Sequence, residues 1–124
     1  LPARDREVLI LRIGRLCGAA YEWAQHVPWA ERAGLTADEM HGIAAGADAA
    51  VWSDAHDRAL LRAADQLHRE TMLDDATWTA LAARYGTEQL MDVVFTVGQY
   101  RLVSAALNTL GVRLDAYLRA CPST

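Results

Sequence analysis

The sequence contains no lysine, and all twelve of its basic residues are arginine. This absence excludes Schiff-base chemistry through a protein amine and excludes a phosphate-binding loop that depends on lysine. The arginines are spread along the chain and the formal net charge is −4. Because nucleic acids and anionic lipid surfaces attract clustered positive charge, we expect neither as a partner.

Cysteine is also scarce, since Cys17 and Cys121 are the only two and lie far apart in the chain. Their spacing fits neither a disulfide framework nor a metal site, and it predicts a reducing, cytoplasmic environment. The most apolar stretch, 90–112, carries Asp92 and Arg101. We therefore expect no membrane span and no export signal.

The length and the balance of residue types predict one helical domain over residues 1–124. With 124 residues and 52% hydrophobic content, the chain can bury a real core, so it is not a disordered tail. Alanine and leucine are abundant and strict alternation of β-branched residues is missing, which predicts an all-α fold. The start at Leu1 is compatible with a missing N-terminal extension.

Apolar spacing and capping signals predict about six helices. Their expected bounds are 4–16, 19–33, 36–46, 53–70, 74–85 and 87–110. Thr36 and Glu39 form a capping-box pattern, Ser53 is the expected cap of the fourth helix, and Gly34 is an expected left-handed stop. The last helix is apolar nearly all round, so it is predicted to be central or to lie between subunits.

Glu22 and His26 are the first candidate functional pair. They are four residues apart on the second predicted helix and therefore share one face. A carboxylate beside an imidazole fixes the ring tautomer and makes an acid–base unit. Surface pairs with this spacing also occur without a function, but the neighbours of this pair are mostly apolar.

The pattern of residues around this pair resembles the carboxymuconolactone decarboxylase and alkylhydroperoxidase-D superfamily. The resemblance rests on Glu7, on the block 21–27 (YEWAQHV) and on 30–36, and it continues through 63–68, 75–78, 98–100 and 108–112. It implies a helical bundle and assembly as a trimer, a hexamer or a similar ring, with a dimer as the smaller alternative. The last helix would then be buried between subunits.

The peroxidase branch of this superfamily uses a glutamate, a Cys-x-x-Cys pair and a histidine. By resemblance the glutamate is Glu7 and the histidine is His26, but Ala19 and Glu22 occupy the cysteine positions. Disulfide exchange requires a thiolate and a resolving partner, so the usual peroxide-reducing mechanism is not expected. Cys17 is displaced from the motif, and a small buried side chain is the alternative explanation for it.

The decarboxylase branch is the better match, and it implies Glu7, Glu22 and His26 as catalytic residues. This chemistry delivers a proton to carbon while a cation holds a carboxylate, and here the cation must be arginine. For Glu7 the alternative role is a helix N-terminal charge. A metal site built from the three residues is conceivable but not expected, since His41 and His56 are remote in sequence.

Four further residues are predicted to contact a substrate, and each has a structural alternative. Tyr21 and Trp23 flank Glu22 and could equally pack in the core or an interface. Gln99 could present its amide to a pocket or bond between helices. His68 lies three residues after Asp65, and the two could form a pair that supports the site or an ordinary surface pair.

The sequence therefore predicts a cofactor-independent acid–base enzyme acting on a small carboxylate or carbonyl compound. Decarboxylation, isomerisation and related proton transfers all fit the candidate residues. Two alternatives remain open: a redox protein that uses Cys17 with an outside thiol, and a non-catalytic helical oligomer that binds a ligand.

Overall fold

The computed structural model describes residues 1–114, 116 and 121–122, and these form helices without any strand. The helices are α1 Ala3–Leu16, α2 Ala20–Arg32, α3 Ala37–Ala45, α4 Ala55–Glu70, α5 Asp75–Ala82 and α6 Thr87–Leu110. The predicted all-α class and the predicted six helices are confirmed.

Helix α1 lies at the centre of the bundle and contacts α2, α3, α4 and α6. Its apolar residues Val8, Leu9, Leu11 and Ile13 are completely buried, because the neighbouring helices cover it on several sides. The predicted packing of α1 and α2 against the long helix α6 is also confirmed. The most enclosed helix is thus α1 rather than the more continuously apolar α6.

Two arginine side chains of α1 hold the helix against its neighbours. Arg12 is 8% exposed, and its Nε donates to Asp65 of α4 at 2.7 Å. Its Nη1 donates to the carbonyl oxygens of Ile43 and Ala44 at the end of α3. Arg4 likewise donates to acidic side chains on α3 and α4. Charge-assisted bonds of this kind fix the position of α1, and with it the position of Glu7.

The helix ends follow local capping chemistry. The Thr36 capping box is present, because the Thr36 hydroxyl accepts from Glu39 N–H and the Glu39 carboxylate accepts from Thr36 N–H. The cap of α4 is Asp54 instead of Ser53, since the Asp54 carboxylate accepts from the N–H of His56. Helix α5 ends at Ala82, three residues before the predicted Tyr85.

Helix α6 packs on the bundle along one side and presents an apolar surface on the other. Its buried residues are Leu90, Val93, Val97 and Ser104. The exposed surface, called the α6 apolar face below, comprises Met91, Val94, Phe95 and Leu102. By length and composition alone α6 could cross a membrane, with 22% of its most apolar window buried. A helix packed on its own domain passes the same test, so this finding is weak support for a span.

Candidate active site

Glu7 of α1 and His26 of α2 form a hydrogen-bonded pair where the two helices meet. His26 Nδ1 lies 2.8 Å from Glu7 Oε2. The Glu7 side chain is 2% exposed and that of His26 is 19% exposed, so the imidazole is the more accessible member. A protonated Nδ1 that donates to Glu7 leaves a lone pair on Nε2, which bonds to no residue that the structure describes.

The pair borders an open pocket of about 440 Å³. Arg6, Trp29 and Tyr100 complete its lining. Arg6 Nε lies 3.3 Å from Glu7 Oε1, and the Arg6 side chain is 46% exposed. The Tyr100 ring meets the His26 ring edge to face at 5.2 Å between centroids. The pocket thus combines a base, a guanidinium cation and two aromatic walls.

Glu22 does not pair with His26 as the spacing suggested, and its carboxylate points to α6 instead. Ser104 Oγ donates to Glu22 Oε2 at 2.6 Å, and Glu22 is 2% exposed. Glu22 Oε1 is buried and has no hydrogen-bond partner among the described residues. Burial raises the pKa of the Glu22 carboxyl, while the Ser104 bond and the charge of His26 oppose the rise.

The four predicted substrate contacts lie outside the lining of this pocket. Trp23 is 1% exposed in the core and borders a small cavity beside Gly14. Tyr21 lines a groove with the C-terminal end of α6. Gln99 is exposed to solvent. His68 is half-buried, and its expected neighbour Asp65 bonds to Arg12 instead.

The Cys17 thiol contacts a different imidazole from the one in the pocket. Cys17 Sγ lies 3.8 Å from His68 Nδ1, and neither residue lines the pocket of His26. Burial raises the pKa of the Cys17 thiol, against the opposing charge of Arg101. Burial also lowers the pKa of His68. Both shifts favour the neutral forms, so the contact holds little thiolate near neutral pH.

The sequence does not single out three of the pocket residues, namely Arg6, Trp29 and Tyr100. The expected chemistry needs an arginine, but nothing in the sequence shows which of the twelve faces the site. Tyr100 lies next to the candidate Gln99 in the sequence. It also follows the apolar residues Leu90, Val93 and Val97 at helical spacing, which is the available signal for the inward face.

Metal ligands do not converge in the described part of the chain. Among those residues, no group of three or more His, Cys, Asp or Glu side chains could hold a metal ion. The donor set at the pocket is one carboxylate and one imidazole, which is suited to proton transfer.

The model of the carboxymuconolactone decarboxylase family matches residues 1–66, more than half of the chain. The chain belongs to the carboxymuconolactone decarboxylase family. The matched segment contains Arg6, Glu7, His26 and Trp29, so four of the five pocket residues lie within the family region. No curated protein sequence matches the chain.

A solved structure from Agrobacterium tumefaciens has a similar fold. It is a protein of unknown function described as a candidate antioxidant defence protein AhpD. The TM-score is 0.84 at 19% sequence identity, and the match covers 94% of this chain and 80% of that one. This likeness confirms the expected AhpD-like helical bundle for the family member described here.

Proposed function

We propose that this protein is a cofactor-independent acid–base enzyme, in which Glu7 and His26 move a proton at a carbon atom of a small carboxylate or carbonyl compound. The observation that carries the proposal is the 2.8 Å bond between the buried Glu7 and the more accessible His26 at an open pocket. Family membership supports the same class of chemistry. Decarboxylation, isomerisation and simple proton exchange are the reactions within this class.

In the proposed mechanism, Glu7 holds the imidazole by its Nδ1–H and stabilises the imidazolium that forms. His26 Nε2 accepts a proton from the substrate carbon and returns it later, so no net redox change occurs. Arg6 holds a substrate carboxylate, since its terminal amino groups bond to no residue that the structure describes. Glu22 lies behind this site and is proposed to support it through Ser104, without touching the substrate.

Solvent deuterium exchange tests the proposal without knowledge of the natural substrate. A small keto acid of the proposed substrate class reports proton transfer through the exchange of its acidic C–H. Pyruvate, acetoacetate and 4-oxopentanoate each carry a carboxylate and an acidic C–H next to a carbonyl. In D₂O, NMR measures loss of C–H signals and, for acetoacetate, release of acetone. We expect wild type to exceed the buffer rate with at least one probe.

The variants Glu7→Gln and His26→Ala should each lose on the order of a hundredfold or more of this rate. His41→Ala is the matched control, because His41 is exposed on α3 and, among the residues that the structure describes, bonds only to the carbonyl of Ala37. Failure of wild type to exceed the buffer with any probe would contradict the proposal, as would equal rates for His26→Ala and His41→Ala.

Thiol redox chemistry at Cys17 is the second candidate function, and the 3.8 Å contact with His68 favours it. The structural likeness to a candidate antioxidant protein points the same way. Both Cys17 and Cys121 are free thiols. Free thiols are typical of a reducing compartment, so they also support the proposed cytoplasmic location. The neutral state favoured at Cys17 and His68 makes this candidate the weaker of the two.

A further inference from the structure

Helices α2 and α6 face each other through two pairs of polar side chains. Glu22 and His26 are four residues apart on α2, and Ser104 and Tyr100 are four residues apart on α6. Glu22 meets Ser104 and His26 meets Tyr100. The helices therefore run antiparallel here, and the two contacts lie one helical turn apart.

The contact between Glu22 and Ser104, called the inner contact, is buried, whereas the contact between His26 and Tyr100 borders the pocket. Glu22 and Ser104 are 2% and 0% exposed, and the Ser104 hydroxyl is used by the Glu22 carboxylate. Tyr100 lines the pocket, and its hydroxyl bonds to no residue that the structure describes. Because α6 cannot slide along α2 without breaking the inner bond, Tyr100 is held beside His26 with a donor available to the pocket.

We propose that Tyr100 is a catalytic residue whose hydroxyl donates a hydrogen bond to the substrate oxygen that gains negative charge when His26 takes the carbon proton. This inference rests on the proposed function and names its substrate class as a keto acid. The carbonyl oxygen faces Tyr100, and the carboxylate binds to the Arg6 guanidinium.

The donor would stabilise the negative charge that the reaction places on the carbonyl oxygen. When the C–H bond breaks, its proton goes to His26 Nε2 and its electron pair passes through the adjacent carbon to the carbonyl oxygen. In a decarboxylation the C–C bond breaks instead, carbon dioxide leaves, and the bond's electron pair forms the same enolate. His26 must then start as the imidazolium, whose Nε2 proton goes to the carbon, and the imidazole takes a new proton from solvent before the next turnover. A donor placed at the developing oxyanion is typically worth a factor of about a hundred to a thousand in rate.

Two features keep Tyr100 in the role of donor. Burial raises the pKa of its phenol, and the charges of Glu7 and Glu22 raise it further, so the hydroxyl keeps its proton at neutral pH. The edge-to-face packing on His26 fixes the ring. Tyr100 therefore acts neither as the base nor as a mobile side chain.

The substitution Tyr100→Phe tests the assignment, since it removes one hydroxyl that has no partner among the described residues and keeps the ring on His26. In the keto-acid exchange assay, kcat should fall on the order of a hundredfold with a small change in KM. The shape of the pH profile should stay the same, because Tyr100 does not titrate in the working range. Thr96→Val is the matched control, removing a hydroxyl one turn earlier on α6.

The outcomes separate this inference from the proposed function. If His26→Ala loses exchange but Tyr100→Phe keeps the rate of Thr96→Val, Tyr100 is not the donor and the proposed function stands. An increase in KM at constant kcat would also overturn the inference, since it would mean ground-state binding only. If wild type gives no exchange with any keto acid, the proposed function is contradicted and this inference falls with it.

Discussion

At the scale of single residues, the motif identifies residues that lie together, but it does not identify all of their hydrogen-bond partners. The family resemblance points to Glu7 and His26, and the structure places them 2.8 Å apart. The i,i+4 spacing suggests a bond between Glu22 and His26, yet the Glu22 carboxylate accepts a bond from Ser104 of α6 instead. Spacing on one helix shows which residues share a face, but it cannot show which partner the next helix supplies.

Glu22 gives a prediction about stability and pH. Burial raises the pKa of its carboxyl above the unfolded value of about 4.3, so the folded state holds its proton to higher pH. This contribution to stability is present at low pH and is lost as the pH rises through the folded pKa. A tenfold difference in proton affinity corresponds to about 1.4 kcal/mol.

Glu22→Gln should therefore remove part of the decline in unfolding free energy above about pH 4.3, measured by urea denaturation at a series of pH values. Glu70→Gln, at the exposed end of α4, is the control. Carboxylates with a lowered pKa, such as Glu39, make the unfolding free energy rise with pH instead, and they do so at lower pH. The wild type and both variants share these groups, so their effect cancels in the comparison. Parallel curves for the two variants would show that Glu22 has no raised pKa.

At the scale of elements, helix existence and most helix ends could be predicted, because capping chemistry is local. The Thr36 capping box is present and Gly34 has a positive φ of 95°. The misplaced start of α4 has a local cause too, because Asp54 competes with Ser53 for the same cap. The structure gives no such cause for the end of α5 at Ala82. The pocket lining could not be predicted, since it depends on how α1, α2 and α6 meet.

Helix α3 gives a prediction in which packing reverses a normal helix propensity. Gly42 lies inside α3, where replacement by alanine usually stabilises a helix by up to about 1 kcal/mol. A Cβ at Gly42 would overlap Val51 and lie 3.1 Å from the Trp52 ring. Gly42→Ala should therefore destabilise the protein by about 1–3 kcal/mol in urea denaturation.

The double variant Gly42→Ala with Val51→Ala serves as the control for this overlap. Val51 is 39% exposed, and its truncation removes the nearer obstacle, so part of the lost stability should return. Strict additivity of the two changes, or a stabilising effect of Gly42→Ala alone, would show that α3 and the loop after it are not packed as described.

At the scale of the whole molecule, the α6 apolar face predicts self-association. Phe95 and Leu102 are 68% and 65% exposed, and Met91 is 52% exposed. Several large apolar side chains exposed on one helix are typical of an interface. We propose that a second copy of the chain covers it, in line with the ring assemblies that the family resemblance implies.

Phe95→Asp should dissociate this assembly, because it would bury a charge in the interface. Sedimentation equilibrium or light scattering should give a multiple of 13.6 kDa for wild type and about one chain mass for the variant. Trp78→Asp is the control, because Trp78 is exposed on α5 outside the face. A wild-type monomer at micromolar concentration would contradict the proposal.

The most direct test of the acid–base site is alkylation by bromoacetate, a small carboxylate that reacts with accessible imidazole and thiolate groups. Arg6 should hold its carboxylate while His26 Nε2 displaces bromide. Peptide mapping by mass spectrometry should therefore show His26 modified before the more exposed His41 and before Cys17, whose thiol pKa is raised. Modification of His41 or Cys17 ahead of His26 would contradict the account, and modification of Cys17 first would favour thiol redox chemistry.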